Sequence, residues 1–454
     1  MKAELIKVSN ASAVCLTTDC WTSRTTTSYM AVTCHYIDDN FKLVSSLLDC
    51  FSFTDRHTAD NLAAELQKIC EEWGITNKVV ACVSDNASNI KAAIRQTGWN
   101  HVACFAHTLN LIVRESLKHI METVTKVKSV VEFVNRSIVA TERLKATQKQ
   151  MGLAELKLKQ DVVTRWNSTY YMLIRFSDQK EAIIATLALV NSSLPTLTLD
   201  EWEIIKEVCE ILKPFEEVTV EIRADRYVTA SKVILNRKGT AKKLFSDHGT
   251  LCPLMAQLSQ WWRHLKNKCK DASTKLNTSI CWLRQPCWTL DLNKGLATME
   301  QQQKKKYITA AAARLLNLPQ GGQPQAGPAD APPPPRSRQS SFWEDFDERV
   351  ADAVTFCNSS STAMSEMRGY LADSLIPRSE DPLAWWKSRK GIYEGLTDIM
   401  KRRLCIVATS VPAERIFSKT GQIISERRNR LGPNKVRQLI FLNANITSPE
   451  EKST

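Results

Sequence analysis

Val79-Val80-Ala81-Cys82-Val83-Ser84-Asp85-Asn86 is the stretch that decides the fold. An unbroken apolar run from Val79 to Val83, with no polar alternation, describes a strand buried on both faces, and such strands belong to parallel sheets. A parallel strand needs a crossover before it. One precedes it at about Thr58–Trp73, with Leu62, Leu66 and Ile69 on one face and Gly74 as the stop. Further back, Leu43–Phe53 and Tyr29–Ile37 are strand candidates at hairpin distance, separated by Asp38-Asp39-Asn40, and the apolar run Ala13–Leu16 ends at Thr17-Thr18-Asp19. Helices at about Ala87–Gln96 and Phe105–His119 follow. The order β-β-β-α-β-α predicts an α/β fold, a mixed sheet with helices on its faces.

From about Ile120 onward the apolar spacing becomes helical, as in Val124–Val134 and Glu201–Leu212. Residues 301–341 break the globular pattern: QQQKKK, an alanine run, then seven of the chain's 16 prolines between Pro319 and Pro335. That composition reads as a flexible or polyproline-like linker. The expected organisation is a first sheet part at 1–118, a helical insertion at 119–300, a Pro/Gln-rich linker at 301–341 and a globular C-terminal part at 342–454.

The 454 residues carry 61 Lys+Arg against 48 Asp+Glu, a formal excess of 61 − 48 = +13. With 43% apolar and 24% charged residues the composition is that of a globular protein rather than a disordered one. No apolar run approaches the roughly 18 residues of a membrane-spanning helix, and no membrane partner is expected. Fourteen cysteines without a CxxC pair, many inside apolar runs, predict reduced thiols in an intracellular compartment. The basic excess suits a polyanion such as DNA; a diffuse positive surface that only aids solubility explains the charge equally well.

Asp19 and Asp85 each close an apolar run and open a polar stretch, where α/β sheets present functional groups. Alone, each reads best as a turn residue bonding nearby N–H groups. On the first and fourth strands of this order, however, the two are expected side by side. Carboxylate clusters suit Mg²⁺ or Mn²⁺, which can clamp an in-line phosphoryl displacement. A third acid is Glu414, placed by Ser410 and Pro412 near the start of a helix, where simple first-turn stabilisation also accounts for it.

Eight segments in order, LTTDCWTS (16–23), SYMAVTCHYID (28–38), HTADNLAAEL (57–66), VVACVSDNASNI (79–90), CFAHTLNL (104–111), TRWNST (164–169), KPFEEVT (213–219) and ATSVPAERIFSKTG (408–421), resemble the hAT superfamily of cut-and-paste transposases and its BED-finger-type, transposase-derived relatives. The resemblance implies a ribonuclease-H-like mixed sheet interrupted by a large all-helical insertion. It places the family's three metal-binding catalytic acids on Asp19, Asp85 and Glu414, its RW pair on Arg165 and Trp166, and its CxxH motif on Cys104 and His107. In the family the Trp is thought to stack on a flipped base; on pattern alone, Trp166 is as good a core aromatic beside Tyr170 and Leu173. Cys104 and His107, with His101 nearby, lack a second ligand pair, so local hydrogen bonding is expected and no structural zinc.

Residues from about Asp381 to Asn445 resemble the family's C-terminal dimerisation region. Leu383, Trp385 and Trp386, and on the last helix Val436, Leu439 and Ile440, are the dimerisation candidates; completing the catalytic core is the competing role. Arg427, Arg428 and Arg430 form a basic run suited to phosphate contact or nuclear import, or to a solvated loop. Only 18 residues precede Asp19 and no Cys₂His₂ spacing occurs, so a chain lacking the BED zinc finger is expected. The expected function is a nuclear, transposase-derived protein that homodimerises or forms a higher oligomer, with weak, non-specific DNA association. The alternatives are an active Mg²⁺-dependent DDE transposase and a nuclear protein-interaction scaffold.

Overall fold

The computed structural model describes residues 2–23, 26–162, 164–190, 194–223, 228–229, 362–370, 372–374, 376, 380–423 and 432–445. The proline-rich stretch and Arg427, Arg428 and Arg430 lie outside the described residues.

After a short helix α1 (Lys2–Asn10), strands β1 (Val14–Thr22), β2 (Ser28–Ile37) and β3 (Leu43–Ser52) form an antiparallel meander. Helix α2 (Ala59–Glu72) crosses over to β4 (Val79–Ser84), which pairs parallel with β1. Helix α3 (Ser88–Gln96) leads to the short strand β5 (His101–Ala103), parallel to β4. The sheet order is β3-β2-β1-β4-β5. Thr58 starts α2 by accepting the Asn61 N–H at 3.3 Å, and Gly74, at φ +64°, takes the left-handed turn that stops it. Both were marked by residue type. The first strand was underestimated: Asp19 lies inside β1, opposite Ala31, because the strand-favouring Trp21 and Thr22 keep the hairpin with β2 going past the acid.

Alternation along the strands separates two cores. Val14, Leu16, Met30, Val32, Cys34 and Cys82 face α1–α3. Cys15, Ala81 and Val83 face the other way, onto the C-terminal part of the chain. There α10 (Pro382–Ser388) and α11 (Glu394–Leu404) lead into a buried, non-helical run through Ala408, then α12 (Val411–Ile423) and α13 (Pro433–Asn445). Residues separated by some three hundred positions therefore build one three-layer α/β/α unit.

Between these halves lies a helical body: α5 (Met121–Arg136), α6 (Ile138–Gln150), α7 (Trp166–Asp178) and α8 (Lys180–Val190), with the far ends of α4 (Phe105–Leu117) and α9 (Leu199–Ile222). Its core includes Phe176 stacked on Trp202 at 4.9 Å. A capping box between Thr198 and Glu201 starts α9. This helix of 24 residues, about 36 Å long at 1.5 Å per residue, begins in the helical body and ends with Val218 and Ile222 in the sheet's second layer. Helix α4 is shared in the same way, with Phe105 in the sheet core and Ile112 and Val113 in the helical one.

The edge strand β3 is covered rather than left open. Asn445 on α13 accepts the Leu47 N–H and donates to the Leu47 carbonyl, both at 2.9 Å, so one amide side chain pairs the edge as a neighbouring strand would. Two turns earlier Arg437 grips the buried Asp49 carboxylate through two N–H groups, Nε–Oδ1 being 2.6 Å. Removing the guanidinium leaves a carboxylate sequestered from water with only the Cys50 N–H. Arg437→Ala is expected to cost about 2 kcal/mol, less than for a fully buried pair because the arginine is half exposed. The midpoint of urea unfolding checks this.

Candidate functional site

The parallel pairing of β1 with β4 matches Thr17 to Val83. Continued for two residues, that register sets Asp19 beside Asp85, on the face that receives the C-terminal helices. Helix α12 lies across β1 and β2. Ala413 and Ile416 are buried against Tyr29 and Ala31, and Phe417 packs on Trp21 with ring centroids 3.8 Å apart. The first turn of α12, which carries Glu414, therefore sits over the strand that carries Asp19.

Electrostatics show the three acids sharing one region. Burial, then the charge of Glu414, then that of Asp85 push Asp19 up to about 7, against the weaker opposing effect of the Cys20 N–H. Asp19, inside β1, accepts the next N–H, that of Cys20, at 2.8 Å, and Asp85 makes the turn contact its residue type favours, accepting the Ala87 N–H at 3.1 Å. Three carboxylates brought into one field supply the oxygen donors a hard divalent ion prefers. Among the described residues, no three or more His, Cys, Asp or Glu side chains are drawn tightly enough to hold one metal ion. The acids share a field, and not a coordination shell.

Cys104 fixes the third acid's helix. Its buried Sγ accepts two N–H groups at 3.4 Å, from His107 at the start of α4 and from Ser410 at the start of α12. The Phe105 N–H adds a bond to the Ala408 carbonyl at 3.0 Å, and the Ala408 N–H one to Thr229 Oγ1 at 2.9 Å. The CxxH motif thus acts through its sulfur as a hydrogen-bonding junction. His101, bonded to Ser84 Oγ at 3.1 Å, is held down to about 4 by burial and then by Lys91, so it is neutral at pH 7.

The RW pair is divided. Arg165 is exposed, whereas Trp166 is 2% exposed, inside the helical core with its ring 6.1 Å from Tyr170. The indole offers no free face to a base in this conformation. Trp166 also lines a cavity of about 300 Å³ together with Leu111, Met121, Val124 and Lys128. Asn110, which the sequence did not single out, accepts the Trp166 N–H at 3.0 Å and donates to the Thr164 carbonyl at 3.3 Å, anchoring the RW segment to α4. Its position inside CFAHTLNL was the only signal.

The dimerisation candidates divide likewise. Leu383, Trp386, Val436 and Ile440 are at most 3% exposed and complete the chain's own core. Trp385 packs on Tyr370 and Tyr393 under the Arg389 guanidinium, 4.4 Å from its ring. Leu439 is 40% exposed, and Leu442, one turn on along the same helix, is 48% exposed.

Comparison with known proteins follows the same division. Residues 17–98 match the ZBED1 RNase-like domain, 102–211 the ZBED1 RNase-like helical domain and 366–446 the hAT family C-terminal dimerisation region. The human zinc finger BED domain-containing protein 4 is 26% identical over 97% of this chain and 38% of its own length. The putative AC transposase of Zea mays is 27% identical over 93% of this chain and 55% of its own length. Zinc finger BED domain-containing protein DAYSLEEPER of Arabidopsis thaliana is 22% identical over 94% and 62% respectively. The chain thus spans about half the length of the curated relatives it matches. With all three regions in order around one interrupted sheet, the chain belongs to the hAT family of transposases and transposase-derived proteins.

Proposed function

We propose that this chain acts as a transposase-derived nuclear protein that self-associates through its C-terminal hAT region and holds DNA by backbone charge, without reading sequence. The observation that carries the self-association is the pair Leu439 and Leu442. They lie three residues apart on α13, exposed, within the segment that matches the dimerisation region, where Leu383, Trp386, Val436 and Ile440 are covered by the chain itself and Ile392, before α11, is the other exposed large apolar side chain among the described residues. Neighbours three apart share one helix face and form a seam for a second copy. Light scattering at micromolar concentration is expected to give a dimer. Leu439→Glu with Leu442→Glu is expected to give a folded monomer whose melting temperature, unlike that of the unaltered chain, does not rise with protein concentration. A monomeric unaltered chain sinks the proposal.

The formal charge of +13 supports DNA association of the counterion-release kind, weakening steeply with added salt.

A second reading is favoured by the shared field of Asp19, Asp85 and Glu414: metal-dependent DNA strand cleavage and transfer. Divalent ions bound there would polarise a phosphodiester and activate the attacking oxygen. Of the chain's own residues, the three carboxylates would have to draw closer than they stand here to hold those ions, and the Cys104–Ser410 junction keeps Glu414 over β1. Cleavage of a DNA end in Mg²⁺ that disappears in Asp85→Asn would establish this reading; cleavage that survives the substitution would end it.

A further inference from the structure

The cavity lined by Trp166 lies where α4 passes through the tight turn Lys118–Ile120 into α5, and the two helices wall it with matching faces. Leu111, Arg114 and the C-cap Lys118 follow one another at i, i+3 and i+7 along α4, as Met121, Val124 and Lys128 do along α5. Its volume, about 300 Å³, stands at the low end of the roughly 300–1,000 Å³ of ligand pockets, room for one large side chain. Leu111 and Met121 are 46% and 40% exposed, so each wall also offers apolar surface to solvent.

The charges lining the cavity are paired, with one exception among the described residues. Lys118 meets Glu115 at 2.6 Å and Lys128 meets Asp161 at 2.7 Å. The Asp161 carboxylate, 3% exposed, also accepts the Ser168 and Thr169 hydroxyls at 2.8 Å. An apolar group can therefore lie over it without stranding a charge. Arg114 is exposed and, among the described residues, has neither a carboxylate nor a hydrogen-bond partner.

We propose that this cavity docks a short acidic peptide of a protein partner, seating one bulky apolar side chain between α4 and α5 and setting a neighbouring carboxylate on the Arg114 guanidinium. The charge balance argues for that occupant. With the two pairs cancelled, a single cation is left over, enough for one carboxylate. A nucleic-acid strand needs several unpaired cations spaced along it, and it would lay a polyanion over Leu111 and Met121. Apolar surface on both walls instead gives the backbone of a partner somewhere to lie once its anchor is seated. The proposal is independent of the reading that the chain holds DNA.

The test is binding of a fluorescein-labelled synthetic peptide, one phenylalanine flanked on each side by glutamates, followed by anisotropy. Saturable binding to the unaltered chain is expected. Replacing the phenylalanine by alanine is expected to weaken it at least about tenfold, the share of a buried aromatic side chain. Arg114→Glu is expected to weaken it about tenfold, as attraction turns to repulsion. The same variant is expected to bind the counterpart peptide, with lysines for glutamates, better than the unaltered chain does. Arg114 has no partner to lose, so an unchanged melting temperature is expected. Arg136→Glu, an exposed reversal at the other end of α5, serves as control and leaves binding as it was. Lack of saturable binding by the unaltered chain overturns the proposal. So does binding that ignores the phenylalanine, or that Arg136→Glu lowers as much as Arg114→Glu. Displacement of the peptide by a DNA duplex of arbitrary sequence, whose own binding falls with Arg114→Glu, assigns the cation to nucleic acid and overturns it as well.

Discussion

Asp19→Asn is expected to stabilise the metal-free chain by about 2–4 kcal/mol at pH 8 and to leave it unchanged near pH 4. The sign follows from Asp19 holding its proton up to about 7 when folded, against an ordinary value of 3.8. Below 3.8 both states are protonated and nothing is lost. As pH rises the unfolded chain releases the proton first, so folding stability falls through the window from about 4 to 7 and stays low above it. The upper limit, about 4 kcal/mol, is three pH units at 1.36 kcal/mol each; partial solvation of the site sets the lower figure. Asparagine carries no charge to strain against Glu414 and Asp85, yet its side-chain oxygen still accepts the Cys20 N–H. Urea unfolding from pH 4 to 8 checks the expectation. On the metal-dependent reading alone, Mg²⁺ or Mn²⁺ added at pH 8 raises the melting temperature of the unaltered chain and not of Asp19→Asn. A difference between the two proteins that does not vary with pH would separate Asp19 from the other acids.

Trp166→Ala is expected to cost about 3–5 kcal/mol, the usual range for deleting a large aromatic from a packed core. The site has little means of relaxing. Asn110 holds the Trp166 backbone N–H, a bond that alanine keeps, so the backbone does not close in; Tyr170 flanks the ring, and Trp166 already lines a cavity, so the emptied volume adds to a void. A base-stacking tryptophan predicts the reverse: unchanged stability with weakened binding to unpaired DNA. Denaturation and anisotropy measured on the same variant separate the two.

Much of the sheet was legible because its signals are local. Strand ends, the crossover helix and its Thr58 and Gly74 boundaries are written within a few residues of where they act, and the unbroken apolar run of β4 announced a parallel neighbour. The nearness of Asp19 to Asp85 was expected from topology, since the first and fourth strands of this order can lie side by side, and the structure pairs them. Other features depended on packing between distant segments. Nothing near Val436 or Ile440 says whether their apolar surface meets β3 or a second chain, and the structure turns them onto β3. Trp166 read equally well as core or as base platform, because burial of an indole is set by α4 and α9 rather than by its own neighbours. The three-residue strand β5 is too short for any periodicity to reveal. Asn445 and Asn110 carry no pattern at all; each matters through a backbone group elsewhere in the chain.

Helix α9 has a mechanical consequence. Its two ends are set in different cores, and α4 crosses the same boundary, so the helical body and the sheet have no swivel between them and must travel as a pair. A pull applied to the outer helices is passed along α9 toward the layer that receives the carboxylates. The place of give is Pro214, whose ring nitrogen leaves a gap in the α9 hydrogen-bond ladder. Stiffening that point, and not the outer surface, is where the linkage between the two cores would be tuned.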